Sequence, residues 1–365
     1  MITRPFLLIA ALCSFLACGT PDNPSGGGEE DIPGAIPVPQ FAYGADISWV
    51  SEMEHDGCKF KLSDGTPADI FEVLKECGIN AIRLRVWVNP AGGWSGKNDV
   101  VSLAKRAAAA NMSVMIDFHY SDFFADPVRQ DFPKDWAADT GDITKTADKV
   151  RAHTGDVLGA LKTAGVSPAW IQVGNETRNG MLWPLGQLWN SSGNINGGWG
   201  RFLQLYGAGY SAAKEVFPQA VVMPHIDNAY QDNAWWLDEF VNRSVKFDAI
   251  ALSHYPQTND KMTPEQMNTN ALSRIRALIA KFGVPVYVSE VGVKVATESV
   301  SAAVLQSFMS GVRQIPGCKG VFYWEPEVYG SWKPAVYNSL GWGSYDMGAF
   351  LPDGRPSAIM DAFKH

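Results

Sequence analysis

The chain has 365 residues, of which 46% are hydrophobic and 19% are charged, a composition typical of a globular protein with one large core. Its net charge of −8 excludes nucleic acid as a partner, because binding to phosphate backbones requires clustered Lys and Arg. The 13 tryptophans provide flat apolar rings that either fill a core or stack on sugar rings.

The N-terminal residues predict a secretion signal followed by a tether. Residues 1–17 contain one Arg and then an apolar stretch that is too short to span a bilayer. The sequence FLAC at residues 15–18 resembles a bacterial lipobox, in which Cys18 becomes the lipidated first residue. Residues 18–40, rich in Gly, Pro, Ser and acids, predict a flexible tether.

We therefore expect a protein that is lipid-anchored in the outer membrane, at the cell surface or at the periplasmic face. Contact with the membrane would be limited to the lipid on Cys18. The alternative is a plain secretory signal in which the cysteine at this position is incidental.

From residue 41 onward, eight short apolar segments with strand character alternate with segments of helical periodicity. The predicted strands are residues 41–47, 79–87, 112–119, 170–174, 220–225, 247–254, 286–290 and 320–324. The predicted helices include residues 66–76, 101–110, 143–163, 202–216, 264–282 and 300–314. Thr263, Pro264 and Gln266 form one helix start signal, and Thr66 with Pro67 predicts another. The pattern predicts an α/β fold, a (β/α)8 TIM barrel, as a single domain over residues 41–365.

In such a barrel, the carboxyl ends of the strands form the face on which a site is built. Glu176 and Glu290 each end an apolar strand. A carboxyl group held against apolar residues has a raised pKa, as a general acid requires. A pair of carboxylates about 5 to 5.5 Å apart would cleave a glycosidic bond with retention, with Glu290 as nucleophile and Glu176 as acid/base. The alternative for both is a solvated carboxylate, which for Glu176 would be favoured by a helix N-terminus.

Two arginines are predicted to point into the barrel. Arg83, Arg85 and Trp87 share one face of the second strand because side chains alternate with a period of two. Buried arginines need anionic partners, and Glu290 is the expected one, which would keep this carboxylate ionised. The alternative is a structural ion pair with another acid of the barrel.

Several motifs occur in an order and at a spacing that resemble a known family. They are YGADIS at 43–48, RLRVWVNP at 83–90, DFHYSD at 117–122, DP at 126–127, QVGNE at 172–176, WW at 235–236, SE at 289–290 and FYWEP at 322–326. Together they resemble glycoside hydrolase family 53, the arabinogalactan endo-β-1,4-galactanases of clan A. The resemblance extends from about residue 43 to the C-terminus, and it implies a (β/α)8 catalytic domain that retains anomeric configuration.

The resemblance also implies the roles of individual residues. Glu176 matches the acid/base on strand four and Glu290 the nucleophile on strand seven. Asn175 matches the residue that contacts the sugar 2-hydroxyl, and Arg83 the arginine near the nucleophile.

Five further residues are assigned to substrate binding by the same resemblance. Tyr255 is similar to the tyrosine that donates a hydrogen bond to the nucleophile. Trp324 is similar to the tryptophan that forms the floor of the subsite for the cleaved sugar. The rim of the sugar site is expected to include Asp46, His119 and Asp122.

The sequence predicts neither a metal ion nor a cofactor. Cys58, Cys77 and Cys318 allow at most one disulfide, and no His or Cys spacing typical of zinc occurs. Some bacterial members of the family carry calcium in the loop after the nucleophile strand. Here that loop, VGVKVAT at 291–297, has almost none of the oxygen ligands that Ca²⁺ needs.

The resemblance thus predicts a monomeric, retaining, endo-acting enzyme whose substrate is the polysaccharide β-1,4-galactan, or type I arabinogalactan of pectin. One alternative is a clan A glycanase for mannan, cellulose or xylan, because strand ends do not distinguish these sugars. Another is a non-catalytic surface lipoprotein that binds glycans, although both glutamates are present. The aromatic residues of segment 326–351 either bind distal galactose units or pack on the barrel.

Overall fold

The computed structural model describes residues 38–257 and 261–365, which form a (β/α)8 barrel. The predicted signal sequence, Cys18 and the tether up to residue 37 lie outside the described residues. Within the described ranges, the barrel strands are β1 Ala42–Asp46, β2 Ala81–Val86, β3 Ser113–Phe118, β4 Trp170–Val173, β5 Val221–Met223 with His225–Ile226, β6 Ile250–His254, β7 Val286–Val291 and β8 Cys318–Trp324. Each of the eight predicted strands is confirmed, with ends that differ by a few residues.

Helices surround the strands. In the described part of the chain they are α1 Val50–His55, α2 Ile70–Glu76, α3 Lys97–Ala109, α4 Ile143–Thr163, α5 Gly198–Val216, α6 Ala234–Asn242, α7 Pro264–Phe282, α8 Glu298–Arg313 and α9 Val336–Leu340. Three 3₁₀ helices cover Ala91–Gly93, Lys134–Asp139 and Ala358–Phe363. Two-residue strand pairs in the loops join Phe60–Lys61 to Pro67–Ala68, Gly180–Met181 to Gly186–Gln187, and Trp189–Asn190 to Gly193–Asn194.

The barrel closes at β5, which Pro224 divides into two halves. Val221–Met223 pairs in parallel with β4, and His225–Ile226 pairs in parallel with β6. Backbone bonds continue across the break, since the Ala251 N–H donates to the Pro224 carbonyl at 3.0 Å. A proline lacks the N–H of a regular ladder, so an interruption is expected at this position.

The start of α7 confirms one predicted cap and the start of α2 corrects the other. The Thr263 hydroxyl accepts from the Gln266 N–H, and the Gln266 side chain accepts from the Thr263 N–H. In contrast, α2 begins at Ile70 and is capped by Asp69, whose carboxylate accepts from the Phe71 N–H. Residues 67–68 form a short strand instead, so the helix predicted from residue 66 starts four residues later.

Inward-facing residues change from apolar to polar along each strand towards the carboxyl end. At the amino end, the barrel interior is filled by an apolar cluster that includes Trp170, Tyr287 and Phe322. Gly44 is required at this level because a Cβ there would lie 2.0 Å from the Phe322 ring. Because side chains alternate with a period of two, positions further along each strand point to the same interior. The inward positions near the carboxyl ends of the strands place charged groups above this apolar layer.

No helix in the described ranges is long and apolar enough to cross a membrane. The cysteines of these ranges, Cys58, Cys77 and Cys318, are free thiols. The disulfide that their number allowed does not form here. Burial raises the pKa of both Cys77 and Cys318 to about 12, so these two thiols are held protonated within the core.

Candidate active site

A β-bulge directs Glu290 into the barrel. Tyr287 faces inward, so strict alternation along β7 would send Ser289 inward and Glu290 outward, towards the helices. The register between β6 and β7 shifts at this point: Leu252 pairs with Val288, and the next pair is Ser253 with Glu290. The extra residue in β7 reverses the alternation and brings the Glu290 carboxylate to the interior.

Glu290 lies among groups that stabilise its ionised form. One oxygen is 2.9 Å from Nη2 of Arg83, and the other accepts a hydrogen bond of 2.7 Å from the Tyr255 hydroxyl. Burial raises the pKa of Glu290, whereas Arg83 and Tyr255 act against this shift. The predicted contacts of Glu290 with Arg83 and with Tyr255 are both present.

Arg83 is fully buried and binds carboxylates of three different strands. Its Nη1 donates to Asp46 at 2.7 Å, and its Nη2 donates to Asp117 at 2.8 Å besides its contact with Glu290. The two other acids belong to β1 and β3, so Arg83 connects β7 to the opposite part of the barrel. Arg83 thus binds Glu290 as predicted. It also forms structural ion pairs with Asp46 and Asp117, which were the alternative to this contact.

Tyr255→Phe is expected to move the acidic limb of the pH profile of kcat/KM to higher pH. The Tyr255 hydroxyl lowers the pKa of Glu290, so its removal raises that pKa and leaves less ionised Glu290 at low pH. One hydrogen bond to a charged group corresponds to a movement of about one pH unit. Measurement of kcat/KM against pH tests this, with the alkaline limb as internal control; an acidic limb that stays in place would contradict it.

Glu176 is held at the end of β4 in an unusual backbone conformation. Gly174 has φ +82°, and Glu176 itself has φ +46°, in the left-handed region that side chains other than glycine rarely adopt. A Cβ on Gly174 would lie 2.6 Å from the Thr177 side chain. The Glu176 N–H donates to Nδ1 of His225 at 3.2 Å, which holds this turn in place. Such strain at the end of a strand is typical of functional positions.

The surroundings of Glu176 favour its protonated form. Burial raises the pKa of this carboxyl well above its usual range, and the charges of Glu290 and Asp227 raise it further. Ser253 interacts with Glu176 and lies 3.4 Å from Glu290, so one hydroxyl lies beside both carboxyl groups. The two glutamates therefore face each other: Glu290 has partners that favour its ionised form, and Glu176 is held protonated.

Asn175 is oriented by contacts on both ends of its amide. Its oxygen accepts from Arg83 at 2.9 Å, and its nitrogen donates to the Ala125 carbonyl at 2.8 Å. These bonds fix the orientation of the amide next to Glu176. The contact with a sugar 2-hydroxyl stays a prediction.

The three residues predicted for the rim already have partners within the protein. Asp46 is fully buried and accepts from Arg83 and Ser48. His119 contacts Asp117 through Nε2 at 2.9 Å, and its Nδ1 accepts from the Ala125 N–H. Asp122 accepts backbone bonds from Asn89 and Lys134 and joins two loops. These positions favour supporting roles beneath or beside the site over direct contact with sugar.

Four supporting residues of the site were not among the predicted site residues: Asp117, Gln172, His225 and Ser253. Gln172 donates to Asp117 and bridges β3 and β4. His225 contacts Ser253 at 2.8 Å, and burial lowers the pKa of His225 well below its usual range, so this ring is neutral. The period of two along β3 and β4 could have identified Asp117 and Gln172. The signal for His225 and Ser253 was weaker, because their strands are interrupted or shifted in register.

The family model described as Glycosyl hydrolase family 53 matches residues 42–353. This chain belongs to glycosyl hydrolase family 53. It is therefore a glycoside hydrolase. Glu176, which follows β4, and Glu290, on β7, both lie within the matched region.

Relatives and solved structures agree with this membership. A probable arabinogalactan endo-β-1,4-galactanase A from Neosartorya fischeri is 32% identical over 305 residues, which cover 78% of this chain and 83% of that protein. The GH53 catalytic domain from Ignisphaera aggregans has a TM-score of 0.76 at 26% identity, with coverage of 91% and 97% of the two chains. One of two fungal β-1,4-galactanases has a TM-score of 0.74 at 26% identity, with coverage of 89% and 99%.

In this family 53 hydrolase, Trp324 at the end of β8 lies in a cluster of aromatic rings. Its ring packs at 5.5 Å from Trp49 and edge-on at 4.8 Å from Tyr345. Of the aromatic residues in segment 326–351, Tyr337 is buried and packs on Trp49, whereas Trp342 is 38% exposed. Tyr337 therefore packs on the barrel, and Trp342 is accessible; binding of distal galactose units by this segment stays a prediction.

Arg85, the second arginine that was predicted to point into the barrel, does not bind Glu290. Its guanidinium forms an ion pair with Glu325, which follows β8, and lies over the rings of Trp87 at 4.8 Å and Phe124 at 4.9 Å. Glu327 is also fully buried, next to Glu325. Burial raises the pKa of Glu325 to about 8, and burial and Glu325 raise that of Glu327 well above its usual range.

Glu327→Gln is expected to flatten the dependence of stability on pH. The folded protein keeps a proton on the Glu325–Glu327 pair that the unfolded chain loses above its ordinary pKa of 4.5, so the contribution of this pair to stability is largest below that pH. It then declines as pH rises towards about 8, by a few kcal/mol. Thermal unfolding between about pH 5 and about pH 8 tests this. Parallel slopes for the variant and the wild type would contradict it.

Groups of three or more His, Cys, Asp and Glu residues arranged to hold a metal ion do not occur in the described ranges. The loop after β7 contains Val293 and Lys294, whose ammonium forms an ion pair with Asp346. Asp46, Asp117 and Glu290 form ion pairs with Arg83, and Glu325 forms one with Arg85.

Proposed function

We propose that this family 53 hydrolase is a retaining endo-β-1,4-galactanase that cleaves galactan or type I arabinogalactan of pectin. The observation that carries the proposal is the contrast between Glu290, whose partners Arg83 and Tyr255 favour its ionised form, and Glu176, which is held protonated. These are the two protonation states that double displacement requires of its nucleophile and its acid.

In the first step, the Glu290 carboxylate attacks the anomeric carbon while Glu176 donates its proton to the leaving oxygen. This forms a glycosyl ester on Glu290 and breaks the glycosidic bond. In the second step, Glu176 removes a proton from water, whose oxygen attacks the same carbon and releases Glu290. Two inversions give net retention of configuration.

Galactan as substrate is supported by the names of the relatives, which include arabinogalactan endo-β-1,4-galactanases. Trp324, at the end of β8 beside Tyr345, provides an aromatic ring for the apolar face of galactose. Asn175, next to Glu176, is the proposed partner of the 2-hydroxyl group, an interaction that strengthens in the transition state.

Release of reducing ends from potato galactan, mannan, xylan and carboxymethylcellulose tests the substrate. We expect clear preference for galactan, and clear preference for another polymer would overturn this part of the proposal. Proton NMR of the first products tests the mechanism, since retention gives the β-anomer before mutarotation. An initial α-anomer would exclude double displacement.

We further propose that residues 1–17 are removed as a signal, that Cys18 is lipidated, and that residues 18–40 tether a monomeric catalytic domain of residues 41–365. The support is the FLAC sequence and the composition of the tether. Cys18→Ser should release the protein from the outer-membrane fraction, and protease treatment of intact cells distinguishes the cell surface from the periplasmic face. An unchanged membrane fraction would contradict lipidation at Cys18.

A further inference from the structure

Three tryptophans form a partly exposed surface that we call the tryptophan platform: Trp189, Trp199 and Trp235. The ring centroid of Trp235 lies 6.2 Å from that of Trp189 and 6.2 Å from that of Trp199. Trp189 belongs to the loop after β4, Trp199 to the first turn of α5, and Trp235 to the first turn of α6. Helices of a (β/α)8 barrel begin at the carboxyl ends of the strands, which is the face of the active site.

Packing of α6 against the barrel does not account for the presence of a tryptophan at position 235. The residues that α6 buries are Trp236, Leu237 and Phe240, and Nε1 of Trp236 donates to the Arg178 carbonyl at 3.1 Å. Trp235 lies outside this contact and is 45% exposed. Large exposed apolar rings that cluster on one surface are typical of binding sites.

The tryptophan platform is joined to the segment that carries Glu176. Two residues after Glu176, Nε of Arg178 donates to Asp227 at 2.6 Å, which connects this segment to the loop before α6. The side chain of the next residue, Asn179, binds both backbone polar groups of Trp189. Its Nδ2 donates to the Trp189 carbonyl at 3.0 Å, and its Oδ1 accepts from the Trp189 N–H at 2.9 Å. The platform therefore lies on the Glu176 side of the site, whereas Trp324 belongs to β8.

We propose that the tryptophan platform binds the leaving-group half of a β-1,4-galactan chain, on the reducing-end side of the cleaved bond. This inference rests on the proposed function. Glu176 donates its proton to the leaving oxygen, so the part of the chain that departs begins beside Glu176. The apolar C–H face of galactose stacks on an indole ring, and Trp235 offers the largest exposed ring on this side.

The test compares two substrates that differ only on the leaving-group side. Galactotetraose that is cleaved at its central bond places two galactose units there, whereas 4-nitrophenyl β-galactobioside places only a nitrophenyl group there. For Trp235→Ala we expect kcat/KM for this cleavage of galactotetraose to fall about tenfold and kcat/KM on the aryl galactobioside to stay within about twofold. Trp235→Phe should recover much of the loss, because a smaller aromatic ring remains.

A second measurement uses the glycosyl-enzyme intermediate. Added galactotriose competes with water for this intermediate and must bind on the leaving-group side, so Trp235→Ala should lower the ratio of transfer to hydrolysis about tenfold. Val241→Ala, which removes an exposed apolar side chain from the same helix α6, is the matched control and should leave this ratio unchanged.

The outcomes separate this inference from the proposed function. If the wild type does not cleave galactan, the proposed function is wrong. If the wild type cleaves galactan but Trp235→Ala loses activity equally on both substrates, or on neither, the inference about the tryptophan platform is wrong. An equal fall in the transfer ratio for Trp235→Ala and Val241→Ala would also overturn it.

Discussion

Glu290→Gln is expected to abolish hydrolysis of galactan, with a loss in kcat of at least about 10³-fold, while binding of galacto-oligosaccharides stays measurable. Glutamine has nearly the same shape as glutamate, but its neutral amide cannot form the glycosyl ester. The Tyr255 hydroxyl can still donate to the amide oxygen, and Arg83 keeps its bonds to Asp46 and Asp117. The fold should therefore persist.

Reducing-sugar assays measure the loss, and calorimetric titration with galactotetraose measures binding. Glu72→Gln is the matched control, because Glu72 is an exposed residue of α2 and the substitution makes the same chemical change away from the site. Unchanged turnover in Glu290→Gln would remove this residue from the mechanism. Loss of oligosaccharide binding together with a loss of thermal stability would indicate a structural role instead.

Glu176→Ala is expected to reduce turnover of galactan about 10³-fold and to reduce attack on substrates with activated leaving groups far less. A nitrophenolate departs without a proton, so the first step no longer depends on Glu176. The second step then becomes slow because no base activates water. Azide, which needs no base, should accelerate turnover and yield a glycosyl azide of retained configuration.

The pH dependence provides an independent test of the same assignment. Because the pKa of Glu176 is raised well above its usual range, wild-type kcat/KM should persist towards neutral pH and fall as pH rises through this pKa. The alkaline limb should be absent from Glu176→Ala assayed with the aryl galactobioside. Equal losses on both kinds of substrate, with no azide product, would contradict the role of Glu176 as acid/base.

Much of the fold could be predicted from local patterns. The eight apolar segments are confirmed as barrel strands because each is buried on both faces and therefore contains few polar residues except at its carboxyl end. The start of α7 was predicted correctly because Thr263, Pro264 and Gln266 act within one turn. The start of α2 was not, because the strand pairing of Pro67 with Lys61 replaces the first helical turn.

For the candidate site, the sequence was sufficient to predict which residues lie at the end of each strand. Glu176 and Glu290 were recognised from their positions after apolar segments, and the inward direction of Arg83 follows from the period of two. The supporting roles of Asp46 and His119 were not predictable in this way. Their burial and their bonds to Arg83 and Asp117 depend on strands that are distant in sequence.

Local patterns were sufficient to predict the order of the strands along the chain, most of their inward positions and the two glutamates at strand ends, because these follow from periodicity within a few residues. The direction of Glu290 depends instead on strand pairing, since a bulge against β6 reverses the alternation of β7. Barrel closure also decided that Arg83 binds Glu290 whereas Arg85 binds Glu325. Such partners are chosen by the register between strands, which no local pattern specifies.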